Sequence, residues 1–234
     1  MKKLMFFAAA AACGTLLAVE SANIVGYASS GLQFGFTMAT PQFINVGGGE
    51  MPLESIVPNT VNDVVIQTLT AGGKTVDSYQ YIDWAGPDYD QTAWADGDGN
   101  IVSNVKFAPG QGLWIQGKDA SNQIQTAGEV GTNDITIQLR FGFTAVGNPF
   151  PVAVSLQDIV ANNVNTIVIQ TLTAGGKTVD SYQYIDWAGP DYDQTAWADG
   201  DGNIVSDVEF APGQGLWVQG ASDSDAITFP APEL

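Results

Sequence analysis

The stretch DSYQYIDWAGPDYDQTAWADGDGN runs from Asp77 to Asn100 and returns unchanged from Asp180 to Asn203. Residues of these types support three chemistries. Asp83, Asp88 and Asp90, close to Trp84 and Tyr89, supply the paired carboxylates that a glycoside hydrolase sets on either side of a sugar bond. Aspartates beside Gly and Pro are also ordinary turn formers. Asp96, Asp98 and Asn100, with their counterparts Asp199, Asp201 and Asn203, place hard oxygen ligands at alternate positions, the way a Ca²⁺ loop begins. Such a loop continues with a glycine and a bidentate glutamate, and Ile101 and Phe107 occupy those places here. A hairpin turn accounts for Asp-Gly-Asp-Gly equally well. Third, Trp84, Tyr89 and Trp94, with Trp187, Tyr192 and Trp197 in the second copy, offer flat apolar faces on which sugar rings stack.

The strands that must carry these residues limit each reading. A period of two puts Tyr79, Tyr81 and Asp83 on one face of TVDSYQYIDW and Val76, Ile82 and Trp84 on the other. One face has to be core, so a tryptophan here packs as readily as it binds. The hydrolase reading needs a deep cleft, which short-stranded units of this size seldom form.

Other chemistries are closed off by composition. The chain contains no histidine, and its one cysteine is Cys13. Ser-His-Asp and Cys-His catalysis, His-ligated zinc and thiolate metal sites therefore have no side chains to work with beyond the first residues. GGK at Gly72 and Gly175 is a turn with a lysine, because no phosphate-loop spacing surrounds it. The expected cofactor is none, with Ca²⁺ as the one alternative. The formal charge is −18, from 7 Lys+Arg against 25 Asp+Glu. Nucleic acid and anionic membrane need clustered cations and are poor partners for such a chain. A solvated acidic surface, or one that takes up divalent cations outside a cell, fits better.

MKKLMFFAAAAACGTLLAVESA has the build of a secretory signal: Lys2 and Lys3, an apolar run from Leu4 to Ala18, then small residues at Ser21 and Ala22. The expectation is a signal peptide over residues 1–22 and an exported chain after it, with no later stretch apolar and long enough for a transmembrane helix.

An internal repeat sets the organisation. Val65 to Ser103 matches Val168 to Ser206 residue for residue at an offset of 103. Upstream, FGFT at Phe34 aligns with FGFT at Phe141 at an offset of 107, so the first copy holds four extra residues, assigned to the glycine-rich NVGGGEMP. The expected domains are residues 23–130 and 131–234. Both read as β. ITIQLRFGF alternates Ile135, Ile137, Leu139, Phe141 and Phe143 against polar residues, and Leu32, Phe34 and Phe36 repeat that in copy one. VVIQTLT and TVDSYQYIDW form a hairpin about AGGK, and QTAWAD and NIVS a second about Gly-Asp-Gly. PGQGLWIQG enters a further strand. Helical signals are confined to PLESIV and SLQDIV, where Ser155 can cap a single turn. The fold class is all-β, two tandem β-sandwich-like or partly open barrel domains.

ESANIVGY at Glu20 to Tyr27, FGFTAVGNPF at Phe141 to Phe150, and the two APGQGLW turns at Ala108 and Ala211 together resemble motifs of uncharacterised secreted β-rich repeat proteins of Gram-negative bacteria. FTMATPQF at Phe36 departs from that pattern, lacking Asn-Pro-Phe. The resemblance implies an exported β unit and an outer-surface or extracellular address, and it carries over no catalytic residue. The expected function is a non-enzymatic structural or interaction protein whose partners are other copies of itself or extracellular polymers. A glycan-binding module, calcium-assisted or not, is the alternative, and a carboxylate-dependent hydrolase the third reading.

Overall fold

VVIQTL and TVDSYQYIDWA form the central hairpin of the first half. The computed structural model describes residues 25–70, 72–85, 90–173, 175–188 and 193–233. In it Val64–Leu69 pairs antiparallel with Thr75–Ala85, Val65 opposite Gln80 and Ile66 opposite Tyr79. Gly72 and Gly73 turn the chain at φ 85° and 78°, a region where a side chain costs about 1–2 kcal/mol. Thr70 N–H closes the turn on Lys74 O at 2.8 Å.

Three strands extend this hairpin into a five-stranded antiparallel sheet. Its order is Gly35–Ala39, Leu113–Gly117, Val64–Leu69, Thr75–Ala85, Asp90–Ala95. The second half repeats it with Gly142–Gly147, Gly215–Gly220, Val168–Leu172, Thr178–Ala188 and Asp193–Ala198. Each half adds a three-stranded sheet, Val25–Gly31, Gln123–Glu129 and Ile56–Pro58 in one and Ile135–Gln138, Ala226–Phe229 and Val160–Ala161 in the other. The fold is all-β: among the described residues the helical segments are the single 3₁₀ turns Leu53–Ser55 and Leu156–Asp158. Ser155 caps the second turn, its hydroxyl accepting from Gln157 N–H at 3.3 Å, whereas Pro52 in the first half has no such group. None of the helices among the described residues is long and apolar enough to cross a membrane. Residues 1–22, read as the signal, lie outside the described residues.

The hydrophobic core divides as the repeat does. One cluster gathers buried residues between Leu32 and Val130, among them Phe43, Ile66, Trp94, Phe107 and Ile115. The other gathers residues between Leu139 and Phe229, among them Phe150, Ile169, Trp197, Phe210 and Val218. Tyr79 and Tyr184 point into these clusters, so the tyrosine face of TVDSYQYIDW is the core face.

Two expectations need correction. ITIQLRFGF is not one strand with one buried face. It runs Ile135–Gln138 in the three-stranded sheet, then re-enters as Gly142–Gly147 in the five-stranded sheet. Gly142 at φ 92° makes the change of sheet, and Phe141 just before it is thrown outward, 75% exposed. Gly35 at φ 92° does the same in the first half, leaving Phe34 79% exposed. Alternation holds only while the backbone stays extended, and a positive φ resets which face follows. NIVS likewise forms no strand: Ile101 and Ile204 make single bridges to Ala95 and Ala198.

The departure of FTMATPQF from FGFTAVGNPF has a structural meaning. Asn148, fully buried, donates from its amide to Val152 O at 2.7 Å, Phe210 O at 3.0 Å and Ala211 O at 3.2 Å, and accepts from Phe150 N–H at 3.0 Å. Pro41 stands at the equivalent place and has no amide to give.

Candidate functional site

The aromatic and acidic residues singled out by the repeat separate in space. Trp94 and Trp197 are 2% and 0% exposed. Their indole N–H groups donate to Ile56 O at 2.9 Å and Ile159 O at 2.7 Å, which satisfies the one polar atom that each ring buries. Tyr81 and Tyr184 lean on them at centroid distances of 5.3 and 5.1 Å. Neither tryptophan presents a face to solvent, so the platform expected of Trp94 and Trp197 is corrected to core packing. Trp84 and Trp187 lie near the ends of Thr75–Ala85 and Thr178–Ala188, and their side chains fall outside the described residues. Tyr89, Tyr192 and Asp88 lie outside them altogether. Asp83 is exposed on its strand, and the side chain of Asp90 is not among those described. The described residues therefore bring no two of the proposed acids together across a cleft.

The acidic trio folds as a turn. The Asp96 Oδ1 atom accepts from Asp98 N–H at 3.0 Å and Asn100 N–H at 2.9 Å, and the Asn100 amide donates to Oδ2 at 3.1 Å. Asp199 repeats this with Asp201 and Asn203, at 3.0, 2.9 and 3.2 Å. Gly99 and Gly202, both at φ 82°, complete the turns. Hydrogen bonds from the backbone and then the side chain of Asn100 hold the Asp96 carboxyl below its usual range, and Asn203 does the same for Asp199. Much of the acceptor capacity of these carboxylates is thus taken up by their own loop. Among the described residues no group of three or more acidic side chains is arranged to hold a metal ion.

What the structure does assemble is a contact between the two halves, built twice. Gly72 N–H donates to Phe143 O at 2.8 Å, and Gly175 N–H donates to Phe36 O at 2.7 Å. Gly147 N–H reaches Gly110 O at 3.0 Å, matched by Thr40 N–H to Gly213 O at 3.0 Å. Gln111 bridges Val146 and Gln214 bridges Ala39. The ring of Trp217 lies over Gly73, where a Cβ would come 2.9 Å from it, and the ring of Trp114 lies over Gly176 in the same way. Phe143 and Phe36 buttress those rings edge-on at 6.1 and 5.6 Å. Each partner in one set is the repeat-equivalent of its partner in the other, so the halves are related by an approximate two-fold axis. AGGK and PGQGLW, legible as turns, are here the two complementary parts of one surface.

Two exposed aromatics were missed as surface features. Phe34 and Phe141 stand at equivalent positions beside the sheet, each before a glycine of positive φ. The Phe-Gly pair, present in both copies, was the available signal. Beside Phe34 lies a shallow groove formed with Asn62, Val65 and the Lys118–Asp63 ion pair, whose atoms are 3.0 Å apart.

Compared with protein-family models, curated proteins and solved structures, the chain matches none of them.

Proposed function

We propose that this chain is an exported, non-enzymatic structural or interaction protein of the cell exterior, made of two duplicated acidic β units. The observation that carries the reading is where the chemically capable residues went. Trp94 and Trp197 fill the cores, and Asp96 and Asp199 close their own turns. Among the described residues, outward features suited to contact are the exposed Phe34 and Phe141 and the strands Asp90–Ala95 and Asp193–Ala198 at the ends of their sheets. A sheet edge offers unpaired backbone groups to another chain. The signal-like start, the acidic surface and the lack of histidine support export and a role without catalysis.

The experiment is a thermal melt with and without Ca²⁺, followed by a polysaccharide-array screen. A ligand that binds only the folded state must raise the midpoint. The structural reading expects no shift with Ca²⁺, no sugar retained, and association that grows with protein concentration. A midpoint raised by Ca²⁺ or by one class of glycan moves the conclusion to the binding-module alternative. That alternative would then rest on Trp84, Tyr89, Trp187 and Tyr192, since Trp94 and Trp197 are consumed in the cores.

A further inference from the structure

We propose that the face joining the two halves also fits a second copy of this chain, residues 25–130 of one chain docking on residues 131–233 of another and the reverse. This goes beyond the reading above, because it names the surface and needs neither export nor sugar.

The contact itself makes no use of chain continuity. Its main elements, two pairs of backbone hydrogen bonds and a pair of Trp rings on bare glycines, recur on both sides of the approximate axis, with Gly112 N–H to Ala145 O at 3.0 Å in addition. The two cores do not share residues. The link between them is the short run from Gly131 to Asp134, between buried Val130 and Ile135, which packs against the second core. A half arriving from another chain meets the same donors, the same rings and the same glycines. Trading of equivalent elements between identical chains is a low-cost route to a closed dimer.

One pair of residues decides which halves can meet. Thr40 and Gly147 are equivalent in the repeat, and they face each other across the contact. A Cβ on Gly147 would lie 2.6 Å from Thr40 Cγ2 and 2.7 Å from Gln214 O, inside the distance that real side chains tolerate. Two first halves would set threonine against threonine, where there is no room. Two second halves would set glycine against glycine and leave a gap. The fitting combination is a first half with a second half. A pair of chains that exchange halves makes two such contacts and leaves none open, so the assembly closes. At low concentration the tether favours the contact within one chain, and the exchanged dimer gains by mass action as concentration rises.

The test uses the full chain on a Cys13→Ser background, so that introduced thiols are the only ones. Ala39 and Gln214 bridge in antiparallel register across the contact, which places their Cα atoms within disulfide reach. Ala39→Cys and Gln214→Cys are made separately and together. The double variant should form an intrachain disulfide, seen as a mobility shift on a non-reducing gel. The two single variants, unfolded, mixed at high concentration and refolded together, should yield a disulfide-linked band at the mass of two chains. That band should be missing from either single variant refolded alone. Adding Gly147→Leu to each chain should abolish it. If the double variant closes within the chain but the mixture gives no linked pair, exchange is overturned. If single variants link to themselves as readily as to each other, the contact is unspecific and the proposal fails. Failure of the double variant to close overturns the contact and the proposal together. None of these outcomes bears on sugar or Ca²⁺ binding, which the melts and the array decide separately.

Discussion

Single residues in this protein show their worth by what surrounds them. Trp94 and Trp197 each combine a large buried ring with one satisfied indole donor. Trp94→Ala and Trp197→Ala are expected to destabilise their halves by about 3–5 kcal/mol, the cost of emptying a buried aromatic site. Urea unfolding measures this, and a loss below about 1 kcal/mol would mean the rings are not core. Asp225 is a different case. It is 1% exposed and receives N–H groups of Ala221 and Ser222, the Ser222 hydroxyl and the Asn163 amide. Burial alone would push its carboxyl up; the donors from Asn163, Ser222 and Ala221 outweigh it and hold the carboxyl below its ordinary value. A depressed folded-state value stabilises above the unfolded value of about 4 and is lost as pH falls through the folded one. Asp225→Asn should therefore melt below the parent at pH 7, and the gap should shrink as pH drops below about 4. Parallel melts across that range read it directly. The first half has Asn122 at the equivalent place, bonded through its amide to Thr60 Oγ1 at 2.8 Å, so the two halves should differ in their acid sensitivity.

At the scale of elements, the turns are the informative parts. Gly72 and Gly73 share a positive φ, but only Gly73 sits beneath a ring of the other half. Gly72→Ala should cost about 1–2 kcal/mol, the backbone penalty alone. Gly73→Ala should cost more, because the added methyl also displaces Trp217. Chemical denaturation of the two variants isolates the difference, and equal losses would remove Trp217 from the contact. The same turn shows how far the sequence could be read. AGGK between two β-branched runs was legible as a hairpin, because the reason for its glycines is local. The second reason, a tryptophan about a hundred and forty positions away, is not local and left no trace in periodicity. The all-β class and the repeat followed from residue type and spacing alone. The outward turn of Phe34 and Phe141 did not, since alternation cannot register a single glycine at positive φ. Asp-Gly-Asp-Gly reads from its sequence as an ion loop or as a turn, and in the fold it makes a turn in which Asp96 accepts from the N–H groups of Asp98 and Asn100. The face of Trp94 was undecidable until the tyrosines of the neighbouring strand were known to point inward.

For the whole molecule the governing fact is two separate cores coupled through one two-fold contact. Cores of this kind can each unfold on their own, and whether they do depends on what the contact contributes. Five backbone hydrogen bonds and two Trp–Gly fits cross it. Net contributions of about 1 kcal/mol per hydrogen bond, with the burial of two tryptophan faces added, make coupling of several kcal/mol, enough to merge two transitions into one. The native chain should then melt as a single calorimetric transition, its calorimetric and van't Hoff enthalpies close to equal. Gly147→Leu attacks the contact where Gly147 meets Thr40 of the other half, and it replaces none of the buried residues that make up either core. Its side chain would have to occupy the space of Thr40, so the halves must separate, and Gln214 O within its own half must give way as well. The variant should keep its β content by circular dichroism and split into two transitions, with a van't Hoff enthalpy for each near half the calorimetric total. A single undivided transition at a lower midpoint would mean instead that the halves share stability through something other than this face. With a net charge of −18 on the chain and acidic residues in excess in both halves, the coupling also has to overcome mutual repulsion, so the split should be widest at low ionic strength and narrow as salt screens it.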